Sequence, residues 1–145
     1  MKLKLYLLAL LTTMFAFTSC DNDDDDDITA PPTAVVEAFS KQYPNITAKW
    51  ENERGQLKAE FWTTDGRQAE AWYSTDGTWT RTETDYKQNE LPQAVADYIA
   101  TTYPGYHYED IELVETPAGK YFDIEVEQGD NDIHVLVNED GTLHK

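Results

Sequence analysis

The chain has 145 residues, with 28 Asp and Glu against 11 Lys and Arg, and a formal net charge of −17. Such a balance repels phosphate backbones and anionic membrane surfaces, which argues against nucleic acid as a partner and against membrane attachment through surface charge. The single cysteine, Cys20, excludes a disulfide within the chain, and the length beyond the N-terminal segment suits one compact domain.

At the N-terminus Lys2 and Lys4 precede an apolar run from Leu5 to Phe17 that is short for a bilayer span, and Phe17-Thr18-Ser19-Cys20 closes it. This segment resembles a bacterial lipoprotein signal peptide. The resemblance implies that residues 1–19 are removed and that Cys20 carries the lipid, placing the domain in the cell envelope, on the outer membrane. A cleaved secretory peptide with an incidental cysteine is the alternative. Residues 20–30 contain the run Asp21-Asn22-Asp23-Asp24-Asp25-Asp26-Asp27, which repels itself and is expected to be a disordered, extended tether. An acidic run in this place is similar to the surface-export signals of Bacteroidetes lipoproteins; a simple spacer from a periplasmic leaflet is the other reading. An EF-hand loop is rejected, because counting from Asp21 its glycine and glutamate positions hold Asp26 and Pro32.

A helix is expected after Pro31 and Pro32. Ala34, Val35, Ala38, Phe39 and Tyr43 line one face, Glu37, Ser40 and Lys41 the other, and Pro44 ends it. Period-two alternation follows: Ile46, Ala48 and Trp50; Leu57, Ala59 and Phe61; Ala69, Ala71 and Tyr73, each set interleaved with polar residues. Asp65-Gly66 and Asp76-Gly77 are the expected hairpin turns, and Thr78–Thr84 is a fourth strand. The pattern then returns. Pro32-Thr33-Ala34-Val35-Val36-Glu37 before Tyr43-Pro44 is matched by Pro92-Gln93-Ala94-Val95-Ala96-Asp97 before Tyr103-Pro104. The second helix buries Ala94, Val95, Tyr98, Ile99 and Tyr103, and strands follow at 106–114, 121–126 and 132–137 with a short last one near Leu143. The reading is therefore an α+β domain over 31–145, a tandem repeat of a helix plus four antiparallel strands, with repeat one at 31–85 and repeat two at 91–145.

Gly119-Lys120-Tyr121-Phe122-Asp123-Ile124-Glu125-Val126, followed by Ile133-His134-Val135-Leu136-Val137-Asn138-Glu139-Asp140-Gly141, resembles the strand-hairpin core of PepSY-like domains, and Gln56–Gly77 is a looser copy. With its helices, 31–145 resembles the beta-lactamase-inhibitor-like, PepSY-like family of secreted Bacteroidetes proteins. The resemblance implies one shared antiparallel sheet with both helices on one face, and a role in inhibiting or regulating proteases; it brings no functional residues with it.

If helices cover one sheet face, the other is open. By alternation the open face carries Lys58, Glu60, Trp62, Gln68, Glu70 and Trp72, then Tyr121, Asp123, Glu125, Asp132, His134 and Leu136. Trp62 and Trp72 either anchor a partner or stack on one another across adjacent strands; Trp50 and Trp79 are assigned to the core. Enzymatic chemistry is not expected. Ser40 and Ser74 have no histidine nearby in sequence, and there is no zinc signature or phosphate-cradling loop. His134 with Asp123, Glu125 and Asp132 is the nearest approach to a metal set, but alternating carboxylates are ordinarily the wet side of a strand. No metal or cofactor is implied. The expected function is a lipid-anchored binding or inhibitory module that docks a protein or peptide, a protease among the candidates, through Trp62, Trp72, Lys58, Glu60, Glu70, Tyr121 and His134; the alternative is a carbohydrate-binding lipoprotein.

Overall fold

In the computed structural model, residues 26–27 and 30–145 are described. Cys20, the leader and most of the acidic run lie outside them. The order is β1 (Asp26–Asp27), α1 (Thr33–Gln42), β2 (Ala48–Glu53), β3 (Gln56–Trp62), β4 (Gln68–Tyr73), β5 (Trp79–Asp85), a 3-10 turn at Gln88–Glu90, α2 (Gln93–Thr102), β6 (His107–Thr116), β7 (Gly119–Gln128) and β8 (Asn131–Val137). β2 to β8 form one antiparallel sheet in chain order, and the two residues of β1 add to the edge of β2. Asp26 faces Asn52 and Asp27 faces Glu51. The end of the acidic run is thus paired backbone, where a disordered tether was expected; extended aspartates can join an edge because ladder bonds use only the main chain.

Both helices start at a proline whose missing N–H costs nothing in a first turn. Pro32 and Pro92 carbonyls accept the N–H groups of Val35 and Val36 and of Val95 and Ala96 at 3.0–3.1 Å. Val35 and Phe39 bury the face of α1 against Leu57, Ala59, Phe61, Ala69, Ala71 and Tyr73. Val95 and Ile99 bury that of α2 against Ile111, Leu113, Phe122, Ile124, Val126, Val135 and Val137. Register carries these positions along a single face: Ala69 faces Thr84, Thr84 faces Leu113, and Leu113 faces Phe122. Both helices therefore cover the same side of the sheet. Between the two apolar clusters the buried Thr82 hydroxyl meets Tyr43 Oη at 2.7 Å and accepts the Trp79 indole N–H at 2.9 Å.

Four strands follow α1, but three follow α2. The short strand expected near Leu143 is reduced to an isolated bridge between Val137 and Leu143. Turn chemistry also differs from expectation. At Asp65-Gly66, Asp76-Gly77 and Asp140-Gly141 only the glycine has positive φ. Each aspartate instead receives hydrogen bonds within its turn, as Asp76 does from the Thr78 N–H and Asp140 from that of Thr142. The two-residue turn with both central residues at positive φ is Arg54-Gly55, between the paired Glu53 and Gln56. Gly77 is constrained by space as well: a Cβ there would sit 2.6 Å from the Ala34 carbonyl oxygen, and Gly141 stands in the same relation to Ala94.

Candidate binding face

The face opposite the helices carries the side chains that alternation placed there. Register sets Lys49, Glu60 and Glu70 in one row, Glu51, Lys58, Trp72 and Arg81 in the next, and Glu83, Val114 and Tyr121 further across. Lys58 is the hub of the first half. Its ammonium lies 3.0 Å from both Glu51 and Glu60, 3.8 Å from Glu70 and 3.9 Å from Glu53. Burial works against the charge on Lys58, but the bonds to Glu60 and Glu51 outweigh it and its pKa rises. Glu51, bonded by Lys49 and Lys58, is held down to about 2. Glu70 is pushed up by burial, with Lys58 opposing.

The two tryptophans do not form a pair. Trp62 faces Gln68 while Trp72 faces Lys58, at the other end of the same two strands. Trp72 is 3% exposed, contrary to its expected role as an open anchor. Its indole N–H donates to Glu53 Oε2 at 2.9 Å and the Arg81 guanidinium lies 3.9 Å above its ring. A cation over the ring, with its aliphatic stem, closes a site that alternation alone leaves wet. Arg81 Nε sits 2.9 Å from Glu83 Oε1, though not aligned for a hydrogen bond. Trp79 joins the helix-side core as expected. A register shift between Trp72 and Tyr73 sets it opposite Tyr73, while Arg81, two residues on, remains on the open face.

Trp62 is 64% exposed. It lines two clefts, of about 260 and 520 Å³. The larger includes Lys49, Glu60 and Gln68. The smaller includes Gln68, Asp85, Tyr86 and Arg67, whose guanidinium bonds Glu90 at 2.8 and 3.0 Å and Asp65 at 2.7 Å and covers the Tyr86 ring at 4.2 Å. Arg67 thereby ties the β3–β4 turn to the segment leading into α2.

Beyond the cleft the face becomes a field of carboxylates. Asp85 faces Glu112, Glu112 faces Asp123, Asp110 faces Glu125, and Glu125 faces His134. Half-buried, and surrounded by Glu83, Asp110, Asp123 and Asp85, Glu112 is pushed up to about 7, burial being the largest cause. Burial also raises Glu83 and Asp85. His134, mostly exposed, lies 3.2 Å from Asp123 and 3.8 Å from Glu125; the bond to Asp123 raises its pKa. Tyr121 is partly buried and stacks on His144 with ring centroids 3.9 Å apart. Asp132 faces Glu127. Among the described residues no three His, Cys, Asp or Glu side chains are grouped to hold a metal ion, and no helix is long and apolar enough to cross a membrane. Asp85, Arg81, Glu112 and Val114 are not singled out by the sequence; the pairing of β4 with β5 and of β5 with β6, including the shift between Trp72 and Tyr73, puts them on the open face.

Helices cover one side of the antiparallel sheet and leave a polar open face from which one indole protrudes. The family model described as "Putative beta-lactamase-inhibitor-like, PepSY-like" matches residues 55–145, and the chain belongs to that family. It is similar to a solved BLIP-like protein from Bacteroides fragilis, at 31% identity and TM-score 0.74 over 81% of this chain and 86% of that one. A DUF2874 family protein from Bacteroides ovatus shares the fold at 24% identity and TM-score 0.74, over 80% and 86% of the two chains. So does a protein from Bacteroides eggerthii described as a "putative periplasmic" protein, at 21% identity and TM-score 0.73, over 80% and 87%. No curated protein matches.

Proposed function

We propose that the chain is a non-enzymatic envelope module, anchored by lipid at Cys20, that binds and restrains a protein partner through the open sheet face. One observation carries the reading: Trp62, 64% exposed on the face away from the helices, stands between two clefts. Buried in a partner, an indole removes on the order of 200 Å² from water, and tryptophan is enriched among residues that dominate interface energies. Membership of a beta-lactamase-inhibitor-like family and the BLIP-like relative support a binding or inhibitory role. The lipoprotein-like leader supports the envelope placement.

Proximity crosslinking in intact cells tests the surface. The wild type is expected to capture one envelope protein that Trp62→Ala fails to capture, while Trp62→Ala keeps its Tm. Equal capture by both forms would move the interface off this face. Glycan-array binding that is lost in Trp62→Ala and survives protease treatment of the ligand would favour the carbohydrate reading, in which the same indole stacks on a sugar ring. The anchor is tested separately: labelled fatty acid should enter the wild type and not Cys20→Ala.

A further inference from the structure

The open face has a direction. Trp62 faces Gln68; Gln68 and Asp85 share the cleft beside Trp62; Asp85 faces Glu112, Glu112 faces Asp123 and Asp123 faces Leu136. One line thus crosses the sheet from an exposed indole, through three carboxylates on three adjacent strands, to a half-buried leucine. With strands about 4.8 Å apart, its ends are roughly 24 Å from each other, the reach of about seven extended residues. In the first half of the face the acids surround Lys58 and Arg81, whereas no residue of the line is a lysine or arginine; the cations beside it are Arg67 and Lys87 at the Trp62 cleft and His134, 3.2 Å from Asp123. The line's carboxylates do not converge on a metal-sized point. Spread at strand spacing, they suit a row of separate cations, and an open indole face suits a guanidinium laid on it.

We propose that this line binds an extended, arginine-bearing segment of the partner, laid across the strands from Trp62 to Leu136. The inference rests on the reading of the open face as the docking surface and adds the chemistry of what docks. Charge complementarity selects the occupant: acids that repel one another when the face is bare gain counter-charges when it is covered.

The probe is a labelled peptide alternating arginine and serine, compared with one alternating glutamate and serine, titrated against the full chain by fluorescence anisotropy. Because a chain this acidic attracts any polycation, the decisive comparison is between charge-matched variants. Glu112→Gln with Asp123→Asn alters the line; at pH 8.5, where Glu112 is ionised, Glu37→Gln with Asp97→Asn removes the same charge from exposed helix positions. The line variant and, separately, Trp62→Ala are each expected to weaken arginine-peptide binding by about tenfold, with the helix variant near wild type. Equal weakening by the two double variants would reduce the effect to net charge and overturn the proposal. So would an arginine peptide that binds no better than the glutamate peptide. In either failure, Trp62-dependent capture in cells would still uphold the docking face, and its loss as well would remove both.

Discussion

Glu112→Gln should stabilise the protein, and only where the carboxyl would be ionised. Glu112 on β6 faces Asp85 and lies near Glu83 on β5, has Asp110 on its own strand, and faces Asp123 on β7. Burial first, and then these like charges, raise its pKa from 4.5 to about 7. A folded-state pKa above the unfolded value means that the folded chain holds the proton longer. The resulting loss of stability begins as pH rises through 4.5 and is complete above about 7. At about 1.4 kcal/mol per pH unit the full effect is about 3 kcal/mol, and solvent screening of a half-buried group reduces it to roughly 1–2 kcal/mol. Gln matches the protonated acid in shape and carries no charge. Urea denaturation should therefore show Glu112→Gln more stable than wild type by roughly 1–2 kcal/mol at pH 8, with the gap closing towards pH 4.5. A gap of the same size at both pH values, or a less stable variant at pH 8, would refute the assignment of repulsion and burial to this site.

Lys58→Met removes the cation shared by Glu51 and Glu60, leaving Glu51 with Lys49, and should cost roughly 1–3 kcal/mol at pH 7 by chemical denaturation. Glu51 is depressed to about 2, so the stability it supplies is present above its ordinary 4.5 and is lost as pH falls towards 2; the wild-type advantage over Lys58→Met should shrink across that window. Arg81→Ala should cost about 1 kcal/mol by uncovering the Trp72 ring, whereas Trp72→Ala should cost about 3–5 kcal/mol as a buried aromatic, a difference readable in Tm. Gly77→Ala forces a Cβ to 2.6 Å from the Ala34 carbonyl and should lose roughly 2–3 kcal/mol, against about 1 kcal/mol for Gly66→Ala, where the same backbone conformation opens onto free space.

Helices and strands were legible because each buries one face only: Val35 and Phe39 at helical spacing, and Leu57, Ala59 and Phe61 at spacing two, have no other arrangement that keeps them dry. The same alternation placed Lys58, Glu60, Trp62 and Glu70 together on the open face. It could not show which of those side chains another would cover. Trp72 is hidden by Arg81 from the neighbouring strand and by Glu53 from two strands away, contacts that depend on register. Register also depends on the shift between Trp72 and Tyr73, which an uninterrupted period-two pattern does not contain. Arg54-Gly55 escaped notice because its first residue is not one of the usual turn formers, and the pairing of Asp26 and Asp27 escaped because main-chain bonding leaves no trace in side-chain pattern.

Strand order that follows chain order has a kinetic consequence. Within β2–β8 each hairpin closes across a short turn, and only the β5–β6 pair must wait for an intervening helix. Closure entropy grows slowly with loop length, so even that step adds little to the search. The chain can therefore zip from neighbour to neighbour, which places it among the quicker-folding sheet proteins and shortens the time its unpaired edges spend open to other chains.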